Sequence, residues 1–405
     1  MLYSMYEAQR AMLSPFRLFT KTSCSMTGNP FTPYNFVAFG RAMEAGIEVL
    51  DGLIKDRGKP EWEIDSAETP DGPVPIHFES VMNSPFCQLT HVRRETDRQD
   101  PKVLLVAPMS GHYATLLRGT VEGLIQEHDV YITDWKDARQ IPVSEGHFGL
   151  DDYLDLLMGF IRTLGPDVHI VAVCQPAPVV LAAVALLADM DDDAQPRSMT
   201  LMGGPVDPHA APTVVTELAD SKPMSWFETR CITPVPMHYP GSRRRVYPGF
   251  MQVSAFIAMN PDRHFSAHMS MFRNLVDGDD ESVAATKRFY DEYFSVMDVP
   301  AEYYLDTIKA VFKERHLALG TMKWRGQPVR PEAITKTALL TIEGEKDDIS
   351  APGQTLAAQT IASNIPKAKR ANHLEKGAGH YGIFNGRRWR DNILPEITKF
   401  VRSHG

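Results

Sequence analysis

Three side chains in this sequence have the types and the order that nucleophilic acyl transfer requires: Cys174, Asp347 and His380. A thiol can carry an acyl group if a base lies within hydrogen-bond reach and an acid orients that base. Cys174 follows Val168-His-Ile-Val-Ala-Val173, a β-branched apolar run that predicts a strand buried on both faces. After it the chain becomes Ala/Leu-rich and helix-compatible, with Pro176 where a first helical turn tolerates proline. A thiol at such a junction meets the free N–H groups and positive dipole end of the next helix, which favour thiolate and oxyanion alike. Taken alone, the segment also fits a buried free cysteine, since cysteine is among the most buried residue types.

The two partners come later in the chain. Thr341-Ile-Glu-Gly-Glu-Lys-Asp347-Asp348 reads as an apolar strand, a glycine turn and a carboxylate just beyond the strand end. The Gly-x-x-Asp spacing favours Asp347 over Asp348 as the acid; the competing reading is an exposed Asp-Asp turn. In Gly377-Ala-Gly-His380-Tyr-Gly382 the glycines let a loop pass close to the nucleophile and place an imidazole there. The chain order nucleophile, acid, histidine is that of the α/β-hydrolase triad. The usual Gly-x-Ser-x-Gly box is absent, and Ala172-Val173-Cys174-Gln175-Pro176 stands in its place.

An oxyanion hole is expected from the backbone N–H of Gln175 and that of Met109, in the loop after the strand at 103–107. Ser110, His112 and Trp226 are expected to contact substrate, with a structural role the competing reading for His112. His264 and His268 stand at i, i+4 but lack the Glu of an HExxH motif and a third ligand, so no metal and no cofactor is expected.

Elements that would position these groups alternate along the chain. Residues 1 to about 60 predict helix, with Thr32-Pro33 as N-cap and first position and an apolar stripe Phe36, Phe39, Met43, Ile47, Leu50, Ile54. A strand pair is expected over 72–95. Further strands are expected at 102–107, 130–135, 168–173, 198–202 and 337–344, with helices at 116–125, 150–164, 177 onward and 388–401. The acidic run at 189–193 reads as a solvated loop, and Ser242-Arg243-Arg244-Arg245 as a solvated loop or a contact for an acidic partner.

This pattern predicts the α/β class: an α/β-hydrolase fold, a mostly parallel sheet flanked by helices. Between 206 and 333 the alternation stops, which predicts a cap inserted between the sixth and seventh core strands. The expected divisions are an N-terminal helical segment over 1–70, core over 71–205, cap over 206–333 and core again over 334–405.

With 405 residues, 43% of them hydrophobic, the chain has enough material for a large core. A net charge of −9 argues against a nucleic-acid partner. Cys24, Cys87, Cys174 and Cys231 are widely spaced, which points to free thiols in a reducing compartment. No apolar run approaches the ~20 residues of a membrane span, and no secretory signal is read at the start, so a cytoplasmic location is expected.

Long stretches of the sequence resemble the intracellular poly(3-hydroxybutyrate) depolymerases. They are Ala107-Pro-Met-Ser-Gly-His-Tyr-Ala-Thr-Leu-Leu-Arg118, Ile132-Thr-Asp-Trp-Lys136, Val173-Cys-Gln-Pro176, Met202-Gly-Gly-Pro-Val-Asp207, Ala301-Glu-Tyr-Tyr-Leu305 and the Gly377–Gly382 segment. The resemblance implies a polyester hydrolase with Cys174 as nucleophile, Asp347 as orienting acid and His380 as base. It further implies that the protein acts at the surface of intracellular polyester granules and releases 3-hydroxybutyrate and short oligomers. The family is related to the polyester synthases, which use a cysteine–aspartate–histidine triad on the same fold. A synthase-like acyltransferase and a non-catalytic granule-surface protein are the alternative functions. A homodimer is one assembly open to the chain.

Overall fold

The computed structural model describes residues 2–27, 38–55, 57–259 and 261–405. Among the described residues, one large sheet runs through the molecule. It contains β1 (Ser66–Thr69), β2 (Gly72–Asn83), β3 (Cys87–Arg94), β4 (Lys102–Val106), β5 (Asp129–Trp135), β6 (His169–Val173) and β7 (Ser198–Met202). Three short strands, β8 (Thr233–Pro234), β9 (Arg245–Tyr247) and β10 (Val299–Pro300), form a separate small sheet. A two-residue hairpin joins β11 (Lys323–Trp324) to β12 (Gln327–Pro328), and β13 (Ala338–Gly344) and β14 (Arg370–Glu375) return to the main sheet.

The main sheet has the order β1-β2-β3-β5-β4-β6-β7-β13-β14. Strands β1, β2, β3 and β5 pair antiparallel in turn, and every pairing from β5 onward is parallel. Counted from β2, this is the α/β-hydrolase arrangement, with β6 in the centre. β4, β6, β7 and β13 consist almost wholly of buried residues, as strands covered by helices on both faces must.

The flanking helices include α1 (Leu2–Thr27), α2 (Ala38–Ile54), α3 (Arg118–Leu124), α4 (Leu150–Leu164) and α5 (Ala177–Asp189). α4 turns Tyr153, Leu154, Leu157 and Phe160 inward, and α5 is buried on nearly all sides beneath the sheet. Thr32, Pro33 and Phe36 lie outside the described residues. The acidic run is a surface turn at the end of α5, where Asp189, Asp191 and Asp192 pair with Arg330, Lys336 and Arg162.

The insertion lies between β7 and β13, the sixth and seventh strands counted from β2. Its helices are α6 (Val214–Ser221), α7 (Met224–Cys231), α8 (Gly249–Met259), α9 (Pro261–Asp277), α10 (Asp280–Phe294) and α11 (Ala301–Thr307), the last running into a π-helical turn over Ile308–Lys313. Arg315 grips Asp207 with two hydrogen bonds of 2.8 and 2.7 Å, tying the end of the insertion to the loop after β7. Arg244 is buried and donates to the carbonyls of Ile141, Gly146 and Pro142, with its guanidinium over the Phe86 ring. Arg243 and Arg245 are exposed, as a solvated loop requires, and Arg244 alone is an internal bolt between insertion and core.

Asp298, just before β10, is a second junction. Its carboxylate accepts from Tyr3 Oη at 2.7 Å and Gly249 N–H at 3.0 Å, and its own N–H donates to Asp137 at 3.1 Å. Burial first, then the charge of Asp137, lifts its pKa from the ordinary 3.8 to about 7, against the pull of Gly249, Tyr3 and Arg139. A raised folded-state pKa means that the stabilisation is complete below the ordinary value and is lost as pH climbs through about 7. Asp298→Asn is expected to flatten the loss of stability across roughly pH 4 to 7, measured as the urea midpoint. Parallel wild-type and variant profiles would contradict this role.

Candidate active site

Cys174 follows the last residue of β6 and has φ +66°, the left-handed region that non-glycine residues seldom occupy. The strain, of order 1–2 kcal/mol, lifts the side chain off the strand end at the start of α5. Two contacts hold the turn: Cys174 N–H donates to Met202 O at 2.7 Å, and Ala177 N–H closes back on Cys174 O at 3.1 Å.

The chain needs Gly203-Gly204 beside this turn because there is no room for side chains. A Cβ on Gly204 would lie 2.3 Å from Ala177 Cβ and 2.4 Å from Cys174 O. One on Gly203, where φ is +53°, would lie 2.4 Å from Ile383 Cδ1 and 3.2 Å from Asp347 Oδ2. Thr355 Oγ1 accepts from Gly204 N–H at 2.8 Å and donates to Gly204 O at 3.0 Å, fixing the pair to the loop beyond β13.

That loop carries Asp347. Buried Glu343, near the end of β13, accepts the N–H groups of Gly353, Thr355 and Leu356 at 2.8–2.9 Å and so folds the loop around itself. Asp347 Oδ1 accepts from Ile349 and Ser350 N–H, both at 2.9 Å, which leaves Oδ2 to accept from His380 Nδ1 at 2.7 Å. Both side chains are buried, and His380 shares the wall of one cavity with Cys174. The structure thus pairs His380 with Asp347 and sets Cys174 on the same cavity as His380. Asp348 points elsewhere, into the wall of a neighbouring cavity.

Burial by itself pushes the His380 pKa down. The charges of Cys174 and Asp347, with their hydrogen bonds, outweigh burial and hold it well above the ordinary histidine value. The protonated imidazole is thereby favoured beside Asp347. Such an arrangement can take a proton from sulfur and return it to a leaving oxygen.

Above the thiol lies a cavity of about 440 Å³. Met109, Ser110, His112, Cys174, Gln175 and His380 all reach it, and much of the remaining wall comes from α6, α7, α8, α11 and the π-helical turn. Trp135 Nε1 donates to Ala107 O at 2.9 Å and Thr133 Oγ1 accepts from Ala107 N–H at 2.9 Å, holding the end of β4 that carries Met109. The Met109 N–H is in use: it donates to Gln175 Oε1 at 3.0 Å, while Gln175 Nε2 donates to the buried Tyr303 hydroxyl. No sequence signal pointed to this bridge, because it joins residues far apart in the chain.

His112 is buried, and its Nε2 bonds the carbonyl of Tyr293 at 3.0 Å. Burial lowers its pKa to about 4, so it is a neutral donor holding α10 to the core at the cavity wall. Trp226 is a correction to the sequence reading. It packs edge-on against Phe227 and under Lys222, off the cavity wall, while Phe227 lines the cavity. One residue along a helix is a rotation of about 100°, so only one of these adjacent rings on α7 can face inward. His264 bonds the hydroxyls of Tyr290 and Tyr293, and His268 bonds the His264 carbonyl. Among the described residues no cluster could hold a metal ion, and no helix is long and apolar enough to cross a membrane.

Gly204→Ala is expected to push the Cys174 turn out of place, costing about 1–3 kcal/mol of stability and most of any esterase activity. Gly382→Ala is the matched control, since its Cβ would meet Ala378 Cβ at an ordinary 3.7 Å. Unfolding curves and ester turnover on both variants check the contrast; equal effects would refute the packing argument.

Comparison with known proteins gives three results. Similar solved structures include a soluble variant of monoglyceride lipase from Saccharomyces cerevisiae, at 10% identity and TM-score 0.46 over 86% of this chain and 99% of that one. Others are 2-hydroxy-6-oxo-6-phenylhexa-2,4-dienoate hydrolase from Rhodococcus sp. strain RHA1, at 13% identity and TM-score 0.45 over 81% and 99%, and an esterase from Thermogutta terrifontis, at 15% and 0.43 over 84% and 98%. Among curated proteins no match was found. The family model described as PHB de-polymerase C-terminus matches residues 203–405, a span that starts after Cys174 and contains Asp347 and His380. Half of the chain is matched, and the protein belongs to this PHB depolymerase family, a family of ester hydrolases.

Proposed function

We propose that the protein hydrolyses the ester bonds of poly(3-hydroxybutyrate) through an acyl-cysteine intermediate. The observation that carries this reading is the buried His380–Asp347 pair on the same mainly apolar cavity as Cys174. Val214 and Leu218 on α6 line that cavity and are 58% and 43% exposed, so its rim offers an apolar landing for a water-insoluble chain.

In the proposed cycle the Cys174 thiol gives its proton to His380, and the sulfur bonds to the ester carbonyl carbon. The carbonyl oxygen takes the Met109 N–H in place of Gln175 Oε1, with the Gln175 N–H as second donor. Collapse of the tetrahedral adduct breaks the C–O bond. The leaving alkoxide takes the proton from His380, and a thioester remains on Cys174. Water then gives a proton to His380 and its oxygen to the acyl carbon, the C–S bond breaks, and the acid leaves as sulfur recovers a proton. Asp347 holds the ring with Nδ1–H toward itself throughout, which keeps the other nitrogen on the thiol.

The proposed setting is the surface of a polyester granule inside the cell, with 3-hydroxybutyrate and oligomers as products. Product analysis after incubation with native, amorphous granules tests the reading. Cys174→Ala is expected to abolish release of soluble products while leaving the far-UV spectrum and granule binding unchanged; substantial hydrolysis by it would eliminate the nucleophile. Asp347→Asn is expected to lower the rate about 10⁴-fold by mis-orienting the imidazole. Loss on Asp348→Asn instead would move the acid to the neighbouring residue.

A further inference from the structure

A second cavity, of about 360 Å³, adjoins the first. It lies between α9, α10 and the loop after Asp347. Phe256, Met259, Ile349 and Tyr381 line both cavities, so the two are neighbouring chambers with one common partition. The Tyr381 ring stands edge-on to His380, with centroids 5.8 Å apart, and reaches Phe289 and Tyr293 in the second chamber at 6.0 and 5.9 Å. An unbroken run of rings therefore leads from the imidazole into the second chamber.

We infer that this second chamber binds the part of the polyester on the alcohol side of the scissile bond, at least one further hydroxyacyl unit. The inference rests on the acyl-cysteine reading above. His380 must hand its proton to the leaving oxygen, so the leaving chain departs beside the imidazole. Ile349 and Tyr381, neighbours of Asp347 and His380, stand at that departure point. The acyl side is fixed by the Met109 and Gln175 N–H groups and has the α6 face of the first chamber.

The lining matches the chemistry of such a unit. Ala267, Ala285 and Phe289 offer apolar surface to methyl and methylene groups. His264, Tyr290 and Tyr293 hydrogen-bond one another, which leaves the wall weakly polar. The volume falls in the usual small-molecule range of about 300–1,000 Å³.

The test compares kcat/KM for the inter-unit ester of the 3-hydroxybutyrate dimer methyl ester with that for ethyl 3-hydroxybutyrate, whose alcohol is too short to reach past Tyr381. The wild type is expected to favour the dimer ester at least about tenfold, the return on burying roughly two methylene-sized groups. Ala267→Phe and Ala285→Phe, which narrow the second chamber from opposite helices, are expected to shrink this ratio to about threefold or less, chiefly through KM. Thermal unfolding of each variant establishes that it is folded, and the ratio is read from whichever one is. No preference in the wild type, or an unchanged ratio in a folded variant, overturns the inference while leaving the hydrolase reading in place. If neither ester is cleaved by the wild type, the hydrolase reading fails and the subsite with it.

Discussion

The left-handed turn at Cys174 is the constraint on which the other features of the site converge. A non-glycine residue at φ +66° persists only when its surroundings over-determine it, and here they do. β6 is central and buried, α5 begins at once, and Gly203-Gly204 passes within a methyl's reach of the Cys174 carbonyl. The same glycine pair admits the loop that Glu343 folds, and that loop sets Asp347 against His380. A strand end, two glycines and a loop thus together hold one residue in a strained conformation.

Electrostatics follow from that packing. His380 and Asp347 are buried, where a lone charge is costly and a paired one is held firmly. Asp347 has three N–H donors, from Ile349, Ser350 and His380, so its charge needs no water. In the proposed mechanism the imidazole then moves one proton between sulfur and oxygen with little rearrangement around it. The one rearrangement required is at Gln175, whose side-chain oxygen must yield the Met109 N–H to the substrate.

Much of this was legible in the sequence, for reasons that can be named. Buried parallel strands read as β-branched runs, and the groups of interest sit just past their ends, next to glycines that only close approach explains. The eighth core strand, β14, was not read, because Arg-Ala-Asn-His-Leu-Glu at the sheet edge has little of it buried and shows no apolar run. Glu343 looked like a strand residue, since its acceptor role depends on a loop ten residues on. The burial of Arg244 was not legible because its pairing with the carbonyls of residues 141–146 leaves no local trace. Adjacent aromatic residues on α7 were indistinguishable until the helix was placed, which is why Trp226 was read where Phe227 stands.

The central claim is that Cys174 carries the acyl group, and trapping that species tests it most directly. An ester substrate would be mixed with the enzyme, quenched in acid within the first turnovers and mapped by peptide mass spectrometry. The account predicts one hydroxyacyl group on the peptide containing Cys174, removable by neutral hydroxylamine as a thioester is. An acyl group on another residue, or turnover with no adduct at Cys174 even when deacylation is slowed, would contradict it.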